Sequence, residues 1–368
     1  MKKLVAIVAA IVASLSLAAT AHATNETVVG TTNITSLSGP LYQSLAKPVN
    51  VEIRAEVTTP ADQPKVNPLK NTKLTFPQGM TFNPDPKMPV CTDAKLNENS
   101  VLSVPANVVA ACKDSVVGTG TSAIILAKIN PAINPATLLS DPILIVFNAG
   151  KDNAGRPKIK IYGFSKGTGV GILMEGALVN QVLNIAVPVL TGDAAVKYYQ
   201  IDLPGNRLKR DDINIDVQGL DKNYVRSTCP ASGTWTTKST FTLGERDFAT
   251  KQPIPNTEAI VASPDTTQDC TGLAGKAKLR LSVKGPKAVK SGAKGAFKVT
   301  VKNTGTGIAK AVKVTATGGG KATAGNINPG ASKTVTVKTK VAGKKGSKKT
   351  LTFKATGGGS AKVKVTVK

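Results

Sequence analysis

The stretch that decides the fold of the C-terminal region is Ala296-Phe297-Lys298-Val299-Thr300-Val301-Lys302-Asn303-Thr304-Gly305. Its apolar and polar residues alternate, which is typical of a β-strand with one buried and one exposed face. Similar alternation occurs at residues 279–283, 297–301, 312–315, 334–337, 351–353 and 363–367. Short alternating strands at this spacing predict an immunoglobulin-like β-sandwich over residues 278–368.

Three segments of this region also carry a family resemblance. They are the strand and turn quoted above, Ala311-Val312-Lys313-Val314, and Ile327-Asn328-Pro329-Gly330-Ala331-Ser332-Lys333-Thr334-Val335. Together they resemble the bacterial surface repeat domain CARDB and related conserved-repeat domains, in which an F-x-V-x-V-x-N-x-G strand and turn is followed by a P-G-x-S-x-T-V turn and strand. The resemblance implies an immunoglobulin-like spacer or adhesion module without catalytic residues. Such domains often occur in tandem, whereas this sequence shows one copy, so a long projecting array is not expected.

The same region carries most of the net charge. Residues 271–368 contain 23 of the 48 lysines and arginines and none of the 22 aspartates and glutamates, in a chain of net charge +26. Two interpretations stay open. The lysines form either a solvated face that keeps a β-rich domain soluble or a positive surface that attracts anionic polymers. The predicted anion-attracting face comprises Lys298, Lys302, Lys313, Lys338, Lys344, Lys345, Lys348, Lys349 and Lys364.

Binding of a specific nucleic acid is not expected. Phe297 and Phe353 are the only aromatic residues in 278–368, and the alternation places both at inward strand positions. Proteins that bind single-stranded nucleic acid stack its bases on exposed aromatic side chains. If the lysines form an anion-attracting surface, the expected partner is an anionic component of the cell envelope or its surroundings, such as wall polysaccharide phosphate, acidic lipid or extracellular DNA bound without sequence specificity. The sequence gives no oligomeric state.

The N-terminal residues predict export. Two lysines precede an apolar run over residues 4–19, and Ala21-His22-Ala23 supplies the small residues that a signal peptidase recognises. We predict a signal peptide at residues 1–23 rather than a membrane anchor, because the apolar run is shorter than the ~20 residues of a membrane span, and a mature chain that begins at Thr24. No later run is apolar for long enough to span a bilayer, so no transmembrane segment is expected after cleavage. The protein is expected to be secreted or extracellular, and association with the cell wall is one form this could take.

Signal cleavage also limits the chemistry of the mature chain. It removes His22, the only histidine. Histidine is the residue most used for acid–base catalysis near neutral pH and the commonest metal ligand. No cofactor is expected.

Four cysteines predict two disulfides in an exported chain. Three pairings are formally open. We favour Cys91 with Cys112 and Cys229 with Cys270, because each pair closes a loop within one stretch rich in turn residues. A zinc site is disfavoured, since the sequence has no C-x-x-C motif and the mature chain has no histidine.

Residues 24–272 predict a second β-rich domain. Their apolar and alternating segments are separated by glycine, proline and asparagine turn signals. Strands are predicted at residues 49–57, 73–76, 123–128, 142–148, 158–164, 183–189, 197–203, 213–218 and 234–243, and a helix at 171–180. Residues 24–48 fit either a first strand or a loose arm. The predicted fold class is all-β, with an antiparallel, sandwich-like, disulfide-bonded domain at 24–272, a linker at 273–277 and a basic immunoglobulin-like sandwich at 278–368.

A further resemblance covers residues 73–122. The segments LTFPQGMTFNP, PVCTDAKL and CKDSVVGTG resemble a recurring stretch of secreted, uncharacterised actinobacterial proteins, in which a cysteine-bounded segment leads into a strand near a Val-Gly-Thr-Gly turn. This resemblance implies no known activity. Within the stretch, Thr92 or Asp93 is expected to cap a short helix.

Two motifs have a functional and a structural interpretation. Gly163-Phe164-Ser165-Lys166-Gly167 matches the G-x-S-x-G nucleophile elbow. That motif needs a histidine base, which the predicted mature chain lacks, so we favour a structural role for Ser165 in a turn. Asp212, Asn214 and Asp216 place oxygen atoms at every second residue, as calcium loops do. The glycine that such a loop requires at its sixth position is Val217 here. Ile213, Ile215 and Val217 alternate as in a strand, which instead places Asp212, Asn214 and Asp216 on its solvent face. We favour this structural interpretation, and no metal is expected; the three residues are the only calcium candidate in the sequence.

The sequence thus predicts an exported, non-enzymatic surface or wall-associated protein whose basic domain is a spacer or electrostatic tether. The alternative is a secreted carbohydrate-active enzyme, because paired carboxylates hydrolyse glycosides without histidine. It requires two of the acids Glu175, Asp202, Asp212 and Glu245 to converge on a cleft. A carbohydrate-binding module is a third option, but it usually exposes aromatic side chains, and Trp235 is the only tryptophan.

Overall fold

The structure of the protein is a computed structural model that describes most of the chain after the predicted signal peptide. The described residues are 26–59, 67–82, 85–99, 101–126, 137–188, 194–245, 247, 249–250, 252 and 254–368. The signal peptide predicted at 1–23 and the mature start at Thr24 lie outside them, as do the last residues of the strands predicted at 123–128 and 183–189. No helix within the described ranges is both long and apolar enough to cross a membrane.

Strands dominate the first part of the chain, as its alternating sequence predicts. The elements are β1 (Thr27–Ser36), β2 (Leu41–Tyr42), β3 (Lys47–Thr58), β4 (Leu69–Thr75), β5 (Thr81–Phe82), α1 (Asp93–Asn99), α2 (Pro105–Cys112), β6 (Val116–Leu126), β7 (Thr137–Leu139), β8 (Ile143–Lys151), β9 (Pro157–Ser165), β10 (Val170–Val179), β11 (Val182–Ala186), β12 (Ala194–Leu203), β13 (Leu208–Arg210), β14 (Ile215–Val217), β15 (Val225–Ser227), β16 (Thr234–Leu243), β17 (Ala259–Ala262), β18 (Thr266–Asp269) and β19 (Gly272–Leu273). Single 3₁₀ turns lie at Lys113–Ser115 and Asp211–Ile213.

Most of these strands pair into one antiparallel sheet. Its order is β17, β16, β4, β11, β10, β9, β8, β6, β12, β3, β15, β5, with β1 on β3, β7 on β6 and β18 on β16. The sheet curls until β1 approaches the strands at the far end. Gln268 donates to the Ile34 carbonyl oxygen (2.8 Å) and accepts from the Ile34 amide (2.7 Å), and the Gly30 amide donates to Ser263 Oγ (2.9 Å).

The inner side of the curled sheet holds an apolar core. Val51 of β3, Leu74 of β4, Val146 of β8, Ile161 of β9 and Leu203 of β12 are buried together in it. In a strand, alternate side chains point to opposite faces of the sheet, so the residues between these positions lie on its outer side.

Helices α1 and α2 cover part of that outer side. Their segment packs on β8 and β9, where Phe147, Tyr162 and Phe164 are buried with Leu96 and Val108. This arrangement explains why residues 143–147 of β8 and 161–164 of β9 are apolar along both faces.

The cap at the start of α1 and both disulfides agree with the sequence predictions. Thr92 Oγ1 accepts the Lys95 amide at 3.3 Å, the geometry of an N-cap. The disulfides join Cys91 to Cys112, with Cα atoms 5.3 Å apart, and Cys229 to Cys270, with Cα atoms 5.9 Å apart.

Several local predictions for the first part are wrong or incomplete. Residues 171–180 were expected to be a helix but lie in β10, whose backbone pairs with β9 on one side and β11 on the other. A short apolar run does not distinguish a buried helix from a buried strand, and here sheet pairing decides. The sequence left residues 24–48 open, and the structure has β1 there, paired with β3. Helix α2 was not predicted.

The C-terminal region is a sandwich of two sheets. Its strands are β20 (Leu279–Lys284), β21 (Ala288–Val289), β22 (Lys294–Asn303), β23 (Ala309–Ala316), β24 (Lys321–Ile327), β25 (Ser332–Lys340), β26 (Lys348–Ala355) and β27 (Ser360–Val367). One sheet has the order β20, β22, β25, and the other has the order β21, β27, β26, β23, β24. Phe297 and Phe353 meet between the sheets with ring centroids 5.4 Å apart. The predicted all-β fold class is confirmed, although β21 and β24 were not foreseen.

Candidate functional site

The three-stranded sheet of the C-terminal sandwich presents a strongly positive outer surface. Every second residue of β22 is buried in the core, as Phe297, Val299 and Val301 show, so the residues between them point outward. The same alternation holds in β20 and β25. We call this outer surface the basic face. Its exposed cations are Arg280, Lys284, Lys294, Lys298, Lys302, Lys338 and Lys340.

Cations lie directly opposite one another on the basic face. Across β20 and β22, Arg280 is the partner of Lys302 and Lys284 is the partner of Lys298. Across β22 and β25, Lys294 is the partner of Lys340. Directly opposed residues have Cβ atoms only about 5 Å apart, and like charges at that spacing destabilise a sheet. The region 271–368 has no aspartate or glutamate to neutralise these charges.

Hydroxyl side chains occupy the centre of the basic face. Thr300 and Thr334 are cross-strand partners whose hydroxyl oxygens are 2.8 Å apart, and Ser282 lies opposite Thr300 on the other side. Hydroxyls donate hydrogen bonds to oxyanions without adding charge. The face therefore offers both cations and neutral donors to an anionic polymer.

The outer surface of the five-stranded sheet is also basic but is arranged differently. There Lys348 is opposite Thr366, Lys364 is opposite Thr350, and Lys362 is opposite Thr352. Lys313 likewise pairs with Thr323. Each of these lysines faces a neutral side chain, so the like-charge repulsion of the basic face does not arise at these positions.

The nine lysines predicted to form one anion-attracting face are therefore divided. Lys298, Lys302 and Lys338 lie on the basic face, whereas Lys313, Lys348 and Lys364 lie on the opposite side of the sandwich. Lys344 and Lys345 precede β26, and Lys349 is exposed opposite Val365 near the start of that strand. Sequence analysis missed Arg280, Lys284, Lys294 and Lys340 as members of the basic face, because membership depends on which strands pair.

Two residues of the calcium candidate, Asp212 and Asp216, form ion pairs with arginines. Asp212 lies in the 3₁₀ turn Asp211–Ile213 and accepts a hydrogen bond from Arg210 Nε at 2.8 Å. This hydrogen bond, with help from Lys166, holds the pKa of Asp212 well below its usual range. Asp216 instead pairs with Arg207, which lowers the pKa of that carboxyl too. Within the described ranges, no three acidic, cysteine or histidine side chains are grouped to hold a metal.

The four acids of the enzyme alternative lie on separate elements. Glu175 is on β10, 3.4 Å from Lys160 Nζ, and Asp202 on β12 accepts from Gln200 Nε2 at 3.2 Å. Asp212 is in the 3₁₀ turn with its arginine, and Glu245 follows β16. The hydrogen-bond or ion-pair partners given for the first three are basic or amide groups. Asp202 also lies opposite Glu52 across β12 and β3, but none of the four candidate acids is paired with another of the four.

Ser165 has a structural role in the turn between β9 and β10. It is 1% exposed, and its hydroxyl donates to the Asp141 carboxylate at 3.1 Å. Asp141 also accepts the Gly167 amide at 2.9 Å. The surrounding element is a strand, a turn and another strand, whereas a nucleophile elbow requires a strand, a turn and a helix.

Trp235 is equally unsuited to hold a sugar on the surface. It is 2% exposed, and its indole nitrogen donates to the Thr228 carbonyl oxygen at 2.8 Å. The carbohydrate-binding alternative therefore gains no support from this side chain.

The two sheets packed around one apolar core place the C-terminal region among the immunoglobulin-like β-sandwich domains. More particularly, residues 277–362 match the CARDB family model, which confirms the predicted resemblance. CARDB is a non-catalytic, immunoglobulin-like domain family. No curated protein matches the sequence.

Proposed function

We propose that this is an exported, non-enzymatic surface protein whose C-terminal domain binds anionic polymers of the cell envelope through the basic face. The observation that best supports this proposal is the set of three cation pairs that lie directly opposite one another across β20, β22 and β25. Bringing these side chains together costs free energy in the free protein. A bound polyanion removes that repulsion, so the cost is recovered on binding.

The chemistry of the face supports a polyphosphate-type ligand rather than a sequence-specific nucleic acid. The only aromatic rings of the domain, Phe297 and Phe353, are both 0% exposed, so they offer no stacking surface. Lysine acts as a point charge toward phosphate, and this suits a repeating polymer more than one defined ligand. Binding through exposed charges is screened by salt over about 10 Å at 0.1 M.

The remaining parts of the proposal concern location and organisation. Two disulfides and a CARDB domain are consistent with an extracellular protein, in which cysteines are commonly oxidised. We propose that residues 1–23 direct export, that residues 24–272 form one folded domain, and that residues 273–277 link it to the basic domain at 278–368.

The decisive experiment compares two sets of substitutions with equal effects on net charge. The test variant changes Lys294, Lys298, Lys302 and Lys338 on the basic face to threonine. The matched control changes Lys348, Lys354, Lys362 and Lys364 on the opposite sheet to threonine. Both sets remove four exposed cations from strands. Binding to purified wall polysaccharide phosphate is measured at several salt concentrations.

We expect the basic-face variant to lose at least tenfold in affinity at 0.1 M salt and the control to lose much less. The reason is that local charge density, rather than net charge alone, sets the attraction at distances within the screening length. Equal losses of affinity in the two variants would show that only net charge matters. That result would contradict the assignment of polymer binding to the basic face. Wild-type binding that persists in molar salt would contradict the electrostatic mechanism itself.

A further inference from the structure

The outward side chains of the basic face form a regular series of rows across β22. Alternate residues of a strand point to opposite faces, so every second residue of β22 from Lys294 to Lys302 points outward. β22 starts at Lys294 and ends at Asn303, whose side chain is buried, and the series therefore has five rows. The rows are Lys294 with Lys340, Ala296 with Lys338, Lys298 with Lys284 and Thr336, Thr300 with Ser282 and Thr334, and Lys302 with Arg280 and Ser332.

Each row offers a group that can hold a phosphate. Three rows contain two directly opposed cations, and the row of Ala296 contains one, the exposed Lys338. The remaining row is uncharged, and the hydroxyls of Ser282, Thr300 and Thr334 can donate hydrogen bonds to phosphate oxygens. The hydroxyl oxygens of Thr300 and Thr334 are 2.8 Å apart, so one phosphate can contact both.

The spacing of the rows is set by the strand itself. Neighbouring rows are two residues apart, which is about 6.8 Å at the usual rise of about 3.4 Å per residue in an antiparallel sheet. Two residues of backbone contain six covalent bonds, and an extended chain of six such bonds covers about 7 Å. A linear polymer therefore matches the rows if six bonds separate its successive phosphorus atoms.

A polymer of glycerol phosphate has this repeat. Its three carbon atoms and two ester oxygens give six bonds from one phosphorus atom to the next, so the extended repeat also covers about 7 Å. A five-carbon polyol lengthens the repeat to eight bonds, or roughly 9 Å when extended. The phosphates of that longer repeat fall out of register with the rows.

A single-stranded nucleic acid also has six bonds between phosphorus atoms, but its bases gain nothing from the basic face. Exposed aromatic side chains supply the stacking energy in complexes with single strands, and no aromatic residue occupies an outward position of β20, β22 or β25. A polyol phosphate carries no bases and can follow β22 closely along its whole length. The rows therefore favour the polyol polymer.

We propose that the ligand of the basic face is a glycerol phosphate polymer that lies along β22 and places one phosphate on each of the five rows. The inference rests on the proposed function, because it names the polymer and its register for the site proposed there. Counted from Lys294, opposed cation pairs hold the first, third and fifth phosphates. Lys338 holds the second phosphate, and the hydroxyls beside Thr300 hold the fourth.

The first test is calorimetric titration of the full mature chain with glycerol phosphate oligomers that carry from two to eight phosphates. We expect the affinity at 0.1 M salt to rise about threefold with each phosphate up to the fifth, the size of one exposed ion pair. Further phosphates extend past the rows, and screening over about 10 Å should reduce each later gain to less than about twofold.

The outcomes of this titration separate the register from the proposed function. An unchanged gain per phosphate from two to eight would overturn the register while polymer binding stands. Binding to wall polysaccharide phosphate without binding to the glycerol phosphate oligomers would overturn the assigned polymer. Absence of binding to both ligands would overturn the proposed function itself.

Two comparison ligands, each with five phosphates, test the repeat length and the polymer class. They are an oligomer of a five-carbon polyol phosphate and a thymidylate strand. We expect both to bind at least about threefold more weakly than the glycerol phosphate oligomer, which corresponds to one lost ion pair. Equal affinity for the five-carbon oligomer would show that the rows do not select the repeat. Equal or tighter binding of the thymidylate strand would assign the face to a nucleic acid backbone.

Substitutions in the uncharged row test the register without a change in net charge. Thr300→Val combined with Thr334→Val removes two hydroxyls but keeps branched side chains that suit a strand. Affinity for the five-phosphate oligomer should fall about fivefold, the size of one net hydrogen bond, while its salt dependence stays the same because no cation is lost. Thr350→Val combined with Thr366→Val on the other sheet is the matched control and should leave the affinity unchanged. An unchanged affinity in the Thr300 and Thr334 variant would overturn the placement of a phosphate on this row.

Discussion

Asn303 shows how one side chain organises the end of a strand in the C-terminal sandwich. It is 0% exposed. Its Nδ2 donates to the carbonyl oxygens of Gly307 (2.8 Å) and Ile327 (2.9 Å). Its Oδ1 accepts the amides of Gly305 (3.0 Å) and Lys278 (3.2 Å). These four contacts explain why asparagine occupies this place in the strand-and-turn motif through which the sequence resembles CARDB.

Replacement of Asn303 by alanine should therefore destabilise the sandwich. The change leaves four backbone groups unpaired in a buried turn, and we expect the free energy of unfolding to fall by about 3 kcal/mol. Urea denaturation followed by circular dichroism measures it. Asn326→Ala is the matched control, because Asn326 is exposed and accepts one amide, that of Ala311, so less than about 1 kcal/mol should be lost there. Equal losses would refute the role given to Asn303.

At the scale of elements, the segment that contains α1 and α2 packs on the outer side of the sheet. The Cys91–Cys112 disulfide closes this segment, and an ion pair holds α1 against β9. Lys160 of β9 is 3% exposed, and its ammonium lies 2.5 Å from Asp93 of α1 and 3.4 Å from Glu175 of β10. It also donates to the Cys91 carbonyl oxygen at 3.3 Å. A buried cation needs such partners, because loss of hydration is otherwise uncompensated.

The ion pair between Lys160 and Asp93 makes the free energy of unfolding depend on pH in a defined direction. The hydrogen bond and charge of Lys160 lower the pKa of Asp93 from its ordinary value of 3.8. A carboxyl whose pKa is lower in the folded state stabilises the fold above its unfolded pKa, and this contribution disappears as the pH falls through the folded pKa. Since Asp93 is 72% exposed, we expect Asp93→Asn to cost only about 1 kcal/mol at pH 7.

The measurement is the free energy of unfolding of both proteins between pH 7 and pH 2. The difference between wild type and Asp93→Asn should be constant above about pH 5 and should vanish below the lowered pKa. Asp114→Asn, in the adjacent 3₁₀ turn, provides a control at an exposed carboxylate and should show no such difference. A difference that persists at the lowest pH would mean that Asp93 acts through packing rather than through charge.

Elements could be predicted from the sequence where the pattern is local. The strand at 234–243 coincides with β16, and the six alternating segments of the sandwich all lie in strands. β10 was missed because its apolar run GILMEGALV fits a helix or a strand, and only pairing with β9 and β11 decides between them. The basic face depends on the register of three strands, and register is not encoded within any one segment.

At the scale of the whole molecule, the net positive charge lies in one part of the chain. Residues 271–368 carry 23 basic and no acidic side chains, whereas residues 1–270 carry 25 basic and 22 acidic ones. The first part is therefore nearly neutral. A summed positive field attracts polyanions over distances up to the screening length, and in this molecule that field originates almost entirely from the sandwich.

This segregation predicts that polymer binding resides in the C-terminal domain alone. A fragment of residues 276–368 should fold, because it contains both sheets and the core around Phe297 and Phe353. We expect it to bind wall polysaccharide phosphate within about threefold of the full chain, with the same decline as salt rises, since nearly all of the net charge lies within it. Residues 24–272 alone should show no salt-sensitive binding. Strong polymer binding by the fragment 24–272 would place the anion site outside the basic face, and loss of binding by a folded 276–368 fragment would mean that both parts are required.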